Sequence, residues 1–206
     1  MKKTVIYNEG DWEARTDRFW SVCFNTISGP RSVFMIGTQD EHGVGNIGLF
    51  NSIVHIGANP PLLGFILRPT TVKRHTYENI KSNGCYTLNH STPDLVEQTH
   101  QSAAKYARDV DEFDALGFKK QHLEGFNAPF IEASRIKLGL HFKEEHLIEA
   151  NDTRLIVGEV THVIIDEDLI KSDSFVDTAE AETLLVSGLD AYHRHSLIER
   201  KPYARP

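Results

Sequence analysis

The sequence predicts a mainly β fold, a closed or partly closed barrel with a few covering helices. Three observations carry this expectation. Short apolar runs of strand length recur between turn signals from Val33 to Ile165. Ile136, Leu138, Leu140 and Phe142 alternate with Lys137, Gly139, His141 and Lys143, the period of a half-buried strand. Helical spacing is confined to a few segments.

Taken in order, the first 25 or so residues are polar and mixed, without a regular pattern. Val33 to Thr38 is a short apolar run and reads as a buried strand. Asp40-Glu41-His42-Gly43 is a turn signal, and Asn46 to Ile56 reads as one long second strand, so 33–56 is expected to be a hairpin. Asn59-Pro60-Pro61 breaks the chain, and Leu62 to Leu67 is a third buried strand. Val72, Thr76 and Ile80 then recur at helical spacing, with Thr70 or Thr71 able to cap the start and Asn83-Gly84 suited to the end. Cys85 to Asn89 resumes a strand, 93–118 is helical or irregular and rich in charge, and Leu155 to Ile165 is a strand apolar on both faces. No repeat or linker-like tract divides the chain, so residues 1–206 are expected to form one domain.

Composition narrows the function classes. Lys and Arg number 22 against 29 Asp and Glu, a net charge of −7, which argues against a nucleic-acid binder. No apolar run approaches the ~20 residues of a membrane helix. The two cysteines, Cys23 and Cys85, form no CxxC pair, which argues against a disulfide framework or a cysteine zinc site. The amino terminus carries no secretory apolar region, so a cytoplasmic location is expected. His193-Arg194-His195 could place two imidazoles on the same side of a strand, but no carboxylate–histidine set with zinc-site spacing accompanies it, so the eleven histidines are read as surface or pocket residues and no metal is expected. Asp109-Val110-Asp111-Glu112 with Asp114 reads as a solvated acidic face, lacking the glycine and terminal glutamate of a calcium loop.

Two stretches carry candidate chemistry. In Leu67-Arg68-Pro69-Thr70-Thr71-Val72-Lys73-Arg74-His75-Thr76 a strand ends and a helix begins. The unpaired N–H groups of a first helical turn, ringed by Arg68, Lys73, Arg74 and threonine hydroxyls, suit a phosphate. The plainer reading is a threonine-capped helix with solvated bases on one side. In Asn46-Ile47-Gly48-Leu49-Phe50-Asn51-Ser52, polar side chains interrupt an apolar strand. They would bond either the edge of a flat polar ligand or neighbouring backbone. Gly48 would allow a planar ring close to the strand. Gly43-Val44-Gly45-Asn46-Ile47-Gly48 spells G-x-G-x-x-G but lies between two strands, so the dinucleotide-binding mechanism does not apply.

In order and spacing, several segments resemble the flavin reductase-like family. Gly29 to Thr38 is similar to its opening Pro-Arg-Pro strand, with Ser32 at the second proline and Gly37 at a serine. Asn46 to Ser52 followed by Asn59-Pro60-Pro61-Leu62 resembles its Asn-Leu-Ala-Pro-Phe-Ser strand and Pro-Pro-Leu turn, with Asn51 at the usual serine. Lys73-Arg74-His75-Thr76 with Asn79-Ile80 resembles its Lys-Lys-Asp-Thr helix. Phe113 to Phe118, Ile131 to Ser134 and Leu155 to Val160 are similar to later family segments.

The resemblance implies an FMN-binding split β-barrel with a few covering helices. It implies FMN as cofactor and NADH or NADPH as co-substrate. The FMN phosphate would sit with Arg68, Lys73 and Thr76, joined by Arg31, and the ring edge with Asn46, Asn51, Ser52 and the backbone around Phe50. Hydride transfer is then the cofactor's chemistry, so no catalytic acid–base pair is expected. The family further implies a homodimer, with His193 or His195 of the tail able to reach the flavin. A flavin-dependent monooxygenase or another electron acceptor would be the partner. The alternative is a flavoredoxin-like FMN electron carrier without efficient NAD(P)H turnover.

Overall fold

The computed structural model describes residues 3–15 and 18–205. The amino-terminal stretch, patternless in sequence, forms two helices, α1 (Glu9–Glu13) and α2 (Phe19–Ile27). Aromatic packing holds them together. The Trp20 ring meets Tyr7, Trp12 and Phe19 edge-on, with centroids 4.8, 4.6 and 4.7 Å away. These rings meet only in three dimensions, so their spacing along the chain shows no period.

The chain then builds β1 (Arg31–Ser32), β2 (Phe34–Gln39), β3 (Gly45–Phe50), β4 (Ile53–Ala58) and β5 (Pro61–Leu67), followed by α3 (His75–Asn83) and β6 (Cys85–His90). Two short helices, α4 (Val96–Gln101) and α5 (Glu112–Leu116), precede the β7 (Lys120–Leu123) and β8 (Phe126–Ile131) ribbon. Two 13-residue strands follow, β9 (Ile136–Ile148) and β10 (Thr153–Ile165), and then the short β11 (Leu185–Ser187) and β12 (Ala191–His193). The main sheet has seven antiparallel strands in the order β3-β2-β6-β9-β10-β5-β4.

The predicted mainly β fold is present, but the expected long strand from Asn46 to Ile56 is not continuous. β3 pairs with β2 and β4 pairs with β5, at opposite edges of the sheet. The chain passes between the edges through Asn51-Ser52. Asn51 donates from its amide to the Gly188 carbonyl at 2.9 Å, and the Ser52 carbonyl accepts from the Ile66 N–H at 3.1 Å. This crossing joins the two edges and leaves the barrel split there.

β2 is buried on both faces, as its unbroken apolar run requires. Phe34 and Ile36 enter the main core with Phe65, Tyr86, Leu88, Leu140 and Ile156. Met35 faces a second core with Ile47, Phe113, Phe118 and Ile131. α3 begins later than the threonine caps suggest: Arg74 is the N-cap residue, with no side-chain cap bond. Thr76, Asn79 and Ile80 form the buried stripe, while Val72 is 48% exposed in the preceding turn. Gly84 ends the helix with φ 70°, its N–H on the Ile80 carbonyl at 2.9 Å, as predicted. Lys137, read as a solvent-side residue of β9, is buried instead. Its ammonium donates to Gln121 Oε1 at 2.7 Å and the Glu132 carbonyl at 3.0 Å, so the 120–131 ribbon covers that face.

Candidate flavin site

A cleft of about 820 Å³ opens where the barrel splits. Its walls are β3 with Asn51-Ser52, the turn from Ile66 to Thr76, the loop at 102–106, the end of α2, and Val186 and Leu189 of the tail. The eight residues singled out in sequence, Arg31, Asn46, Phe50, Asn51, Ser52, Arg68, Lys73 and Thr76, all line it.

The β5–α3 turn supplies the cationic end. Arg68 and Lys73 are exposed on its rim, and Arg74 lies half-buried behind them. The Arg74 Nε is buried without a hydrogen-bond partner. An N–H left unpaired in this way suits an anionic oxygen from the cleft. Local sequence under-weights Arg74, because its burial follows from its place as N-cap of α3 rather than from any spacing.

Several of the eight side chains also bond the protein itself. Arg31 donates to Ser28 Oγ at 2.5 Å and to the Asn25 carbonyl at 3.2 Å, which secures it to the end of α2. Its Nε is likewise buried and unpaired. Ser52 Oγ donates to Asn51 Oδ1 at 3.3 Å. The Phe50 ring packs edge-on against Phe65 with centroids 4.9 Å apart, forming a floor between cleft and core. Gly48 is needed for a reason other than ring approach. A Cβ there would lie 2.7 Å from the Phe50 ring and 2.8 Å from Thr76 Oγ1, so the absent side chain lets β3 and α3 close together.

In the acidic segment Asp109 and Asp114 are exposed as expected, but Asp111 and Glu112 are not solvated. Asp111 caps α5, accepts from the Gly45 N–H at 2.8 Å and pairs with Lys120. Burial opposes its ionisation, but Lys120 and the N–H groups of Gly45 and Asp114 hold its carboxyl below the usual range. Glu112 is 5% exposed and lines the cleft. Its Oε2 accepts from the Ile47 N–H at 2.9 Å. Burial, aided by the Asp111 charge and opposed by that bond, pushes its carboxyl up to about 7. The partner N–H groups lie about 65 residues away in sequence, so no local signal marks these two acids.

The tail histidines do not line the cleft of their own chain. His193 Nε2 meets Ser187 Oγ at 3.0 Å and His195 Nε2 meets Thr178 Oγ1 at 3.3 Å. Val186 and Leu189 are the tail's contribution to the cleft.

The fold is a split barrel whose cleft is cationic at one end. Residues 28–185 match the family model for the flavin reductase like domain, and the chain belongs to that family. A split-barrel protein of Shewanella frigidimarina assigned to the flavin reductases has a similar structure, with TM-score 0.92, 37% identity, and 98% of this chain and 100% of that one covered. Nitrilotriacetate monooxygenase component B of Bacillus cereus shares the fold at TM-score 0.83 and 15% identity, covering 98% and 100% of the two chains. Flavoredoxin of Desulfovibrio vulgaris shares it at TM-score 0.72 and 22% identity, over 85% and 92%. Among the described residues no helix is long and apolar enough to cross a membrane.

Proposed function

We propose that this single-domain protein is a cytoplasmic oxidoreductase that binds FMN and reduces flavin with NADH or NADPH. The cationic end of the cleft, with the unpaired Arg74 Nε, is the observation that carries the reading. Arg68, Lys73 and Arg74 hold the terminal phosphate, with Thr76 beside them and Arg31 on the α2 side. β3 supports the ring, with the Asn51-Ser52 crossing at its edge. When bound, the flavin supplies the hydride-accepting centre. The residues of this chain bind and orient it and keep its inner face from water, so no acid–base pair is required.

The reading includes a homodimer. Val22, Phe24 and Ile27 of α2 are 52%, 50% and 74% exposed, and Phe24 also lines the cleft. A second copy on this face would complete one wall of the site. The likeness to a monooxygenase component B favours delivery of reduced flavin to a partner monooxygenase or another acceptor. The likeness to a flavoredoxin favours a second reading, an FMN electron carrier. Steady-state oxidation of NADH and NADPH with added FMN separates the two. Turnover with either donor supports the reductase; negligible turnover with both leaves the carrier.

A further inference from the structure

Glu112, Asn46 and Thr76 stand in a row at the cleft wall. Glu112 Oε1 lies 3.1 Å from one end of the Asn46 side-chain amide, and Thr76 Oγ1 lies 2.9 Å from the other. The amide has one donor end and one acceptor end, so its orientation fixes the role of each neighbour. An ionised Glu112 has no proton and must receive Asn46 Nδ2. Asn46 Oδ1 then accepts the Thr76 hydroxyl proton, with the Ile47 N–H 3.2 Å away. A protonated Glu112 donates to Asn46 Oδ1 instead. Asn46 Nδ2 then donates to Thr76 Oγ1 and approaches Thr38 Oγ1 at 3.4 Å, which frees the Thr76 hydroxyl proton for the cleft.

We propose that Glu112 is a positioning residue that acts through Asn46, its protonation deciding whether Thr76 offers a hydroxyl proton to an anionic ligand group in the cleft. This rests on the flavin reading, in which that group is the FMN phosphate. Burial places the Glu112 carboxyl at about 7, so the relay changes state near neutrality. Asp111 on α5 is paired with Lys120 of β7. His75 of α3 and Arg108 share a small cavity with Glu112. Arg108 pairs with Glu78 at 3.3 Å and Asp40 at 3.8 Å. Lys105 and Tyr106 lie along the cleft.

Glu112→Gln holds the relay in its neutral state, because the new amide can donate to Asn46 Oδ1 and still accept from the Ile47 N–H. The test measures Kd for FMN and for riboflavin, wild type against variant, at pH 6 and 8.5. The riboflavin comparison removes effects that do not act through the phosphate. In parallel, NMR follows the Asn46 side-chain amide and the Ile47 N–H of flavin-free protein across the same range. The Asn46 and Ile47 signals are expected to titrate together in the wild type and stay constant in the variant. FMN is expected to bind the variant about tenfold tighter at pH 8.5 and equally at pH 6, as for one hydrogen bond to a charged oxygen. Riboflavin is expected to show no difference. Wild-type Asn46 and Ile47 signals that ignore pH would overturn the relay even if the variant does not fold, as would an FMN ratio that does not change with pH. Titrating signals in a protein that binds no FMN would support the relay and end the flavin reading.

Discussion

Replacing Glu112 by glutamine should make the fold more stable at alkaline pH and leave it unchanged in acid. In the fold the Glu112 carboxyl is raised from an ordinary 4.5 to about 7, chiefly by burial. Between these values the native state binds more protons than the unfolded chain, so stability falls as pH rises. The gap converts to about 3 kcal/mol at 1.36 kcal/mol per tenfold in proton affinity. Glutamine carries no such charge and keeps the bond to the Ile47 N–H. The variant should therefore match the wild type below about pH 4.5 and exceed it by up to about 3 kcal/mol above pH 7. His90 acts in the opposite direction. Burial, with the neighbouring His195, pulls its imidazole from 6.5 down to about 4. Its contribution is complete above pH 6.5 and is lost as pH falls toward 4, again by about 3 kcal/mol. In the wild type these two contributions oppose each other between pH 4.5 and 6.5 and largely offset one another. In E112Q the His90 slope stands alone. Urea unfolding at half-unit pH steps, with m-values checked for constancy, reads this directly. Parallel curves for the two proteins, or a variant less stable than wild type at pH 8, would refute the reasoning.

Three further outcomes follow from the geometry. Arg68→Ala combined with Lys73→Ala should weaken FMN binding by about 1.5–3 kcal/mol per charged hydrogen bond lost and leave riboflavin binding unchanged; calorimetric titrations giving equal losses for both would move the phosphate elsewhere. Gly158→Ala should cost about 1–3 kcal/mol, because a Cβ there would lie 2.3 Å from the buried Tyr86 hydroxyl. Tyr86→Phe should cost little, since that hydroxyl has no partner, and should recover only part of the Gly158→Ala loss in thermal melts, because the Cβ would still lie 2.9 Å from the ring carbon Cζ. Asn51→Ala should remove its bond to the Gly188 carbonyl at a cost of about 1 kcal/mol. Hydrogen exchange at residues 185–193 should then speed up, while unchanged protection would show that the crossing does not hold the tail.

Local periodicity made the central strands readable. β2, β5 and β6, β9 as far as Lys143 and β10 from Leu155 are apolar or alternating runs, whereas the polar ends of β9 and β10 beyond them carry no such signal. The end of α3 was readable because Gly84 takes a left-handed φ. The break at Asn51-Ser52 was not, because the choice between β2 and β5 as partner is made by the whole sheet. The start of α3 differs from the sequence expectation because Thr70 and Thr71 are good caps, yet the buried stripe begins only at Thr76. At the site, basic and hydroxyl-bearing residues near a strand–helix junction pointed to the cleft, where they are gathered. Glu112 reads in sequence as part of a solvated acidic face because its burial depends on the Ile47 N–H from a distant strand, and a run of acids looks the same whether solvated or buried. Lys137 was misplaced for a similar reason: its cover is the β7–β8 ribbon, which strand alternation in β9 does not report.

The most direct test is a crystal structure of the protein with FMN. It should show the phosphate bonded to Arg68, Lys73 and Arg74 and the isoalloxazine ring along β3 from Asn46 to Phe50. Flavin bound elsewhere, or colourless crystals with solvent alone in the cleft, would contradict the account.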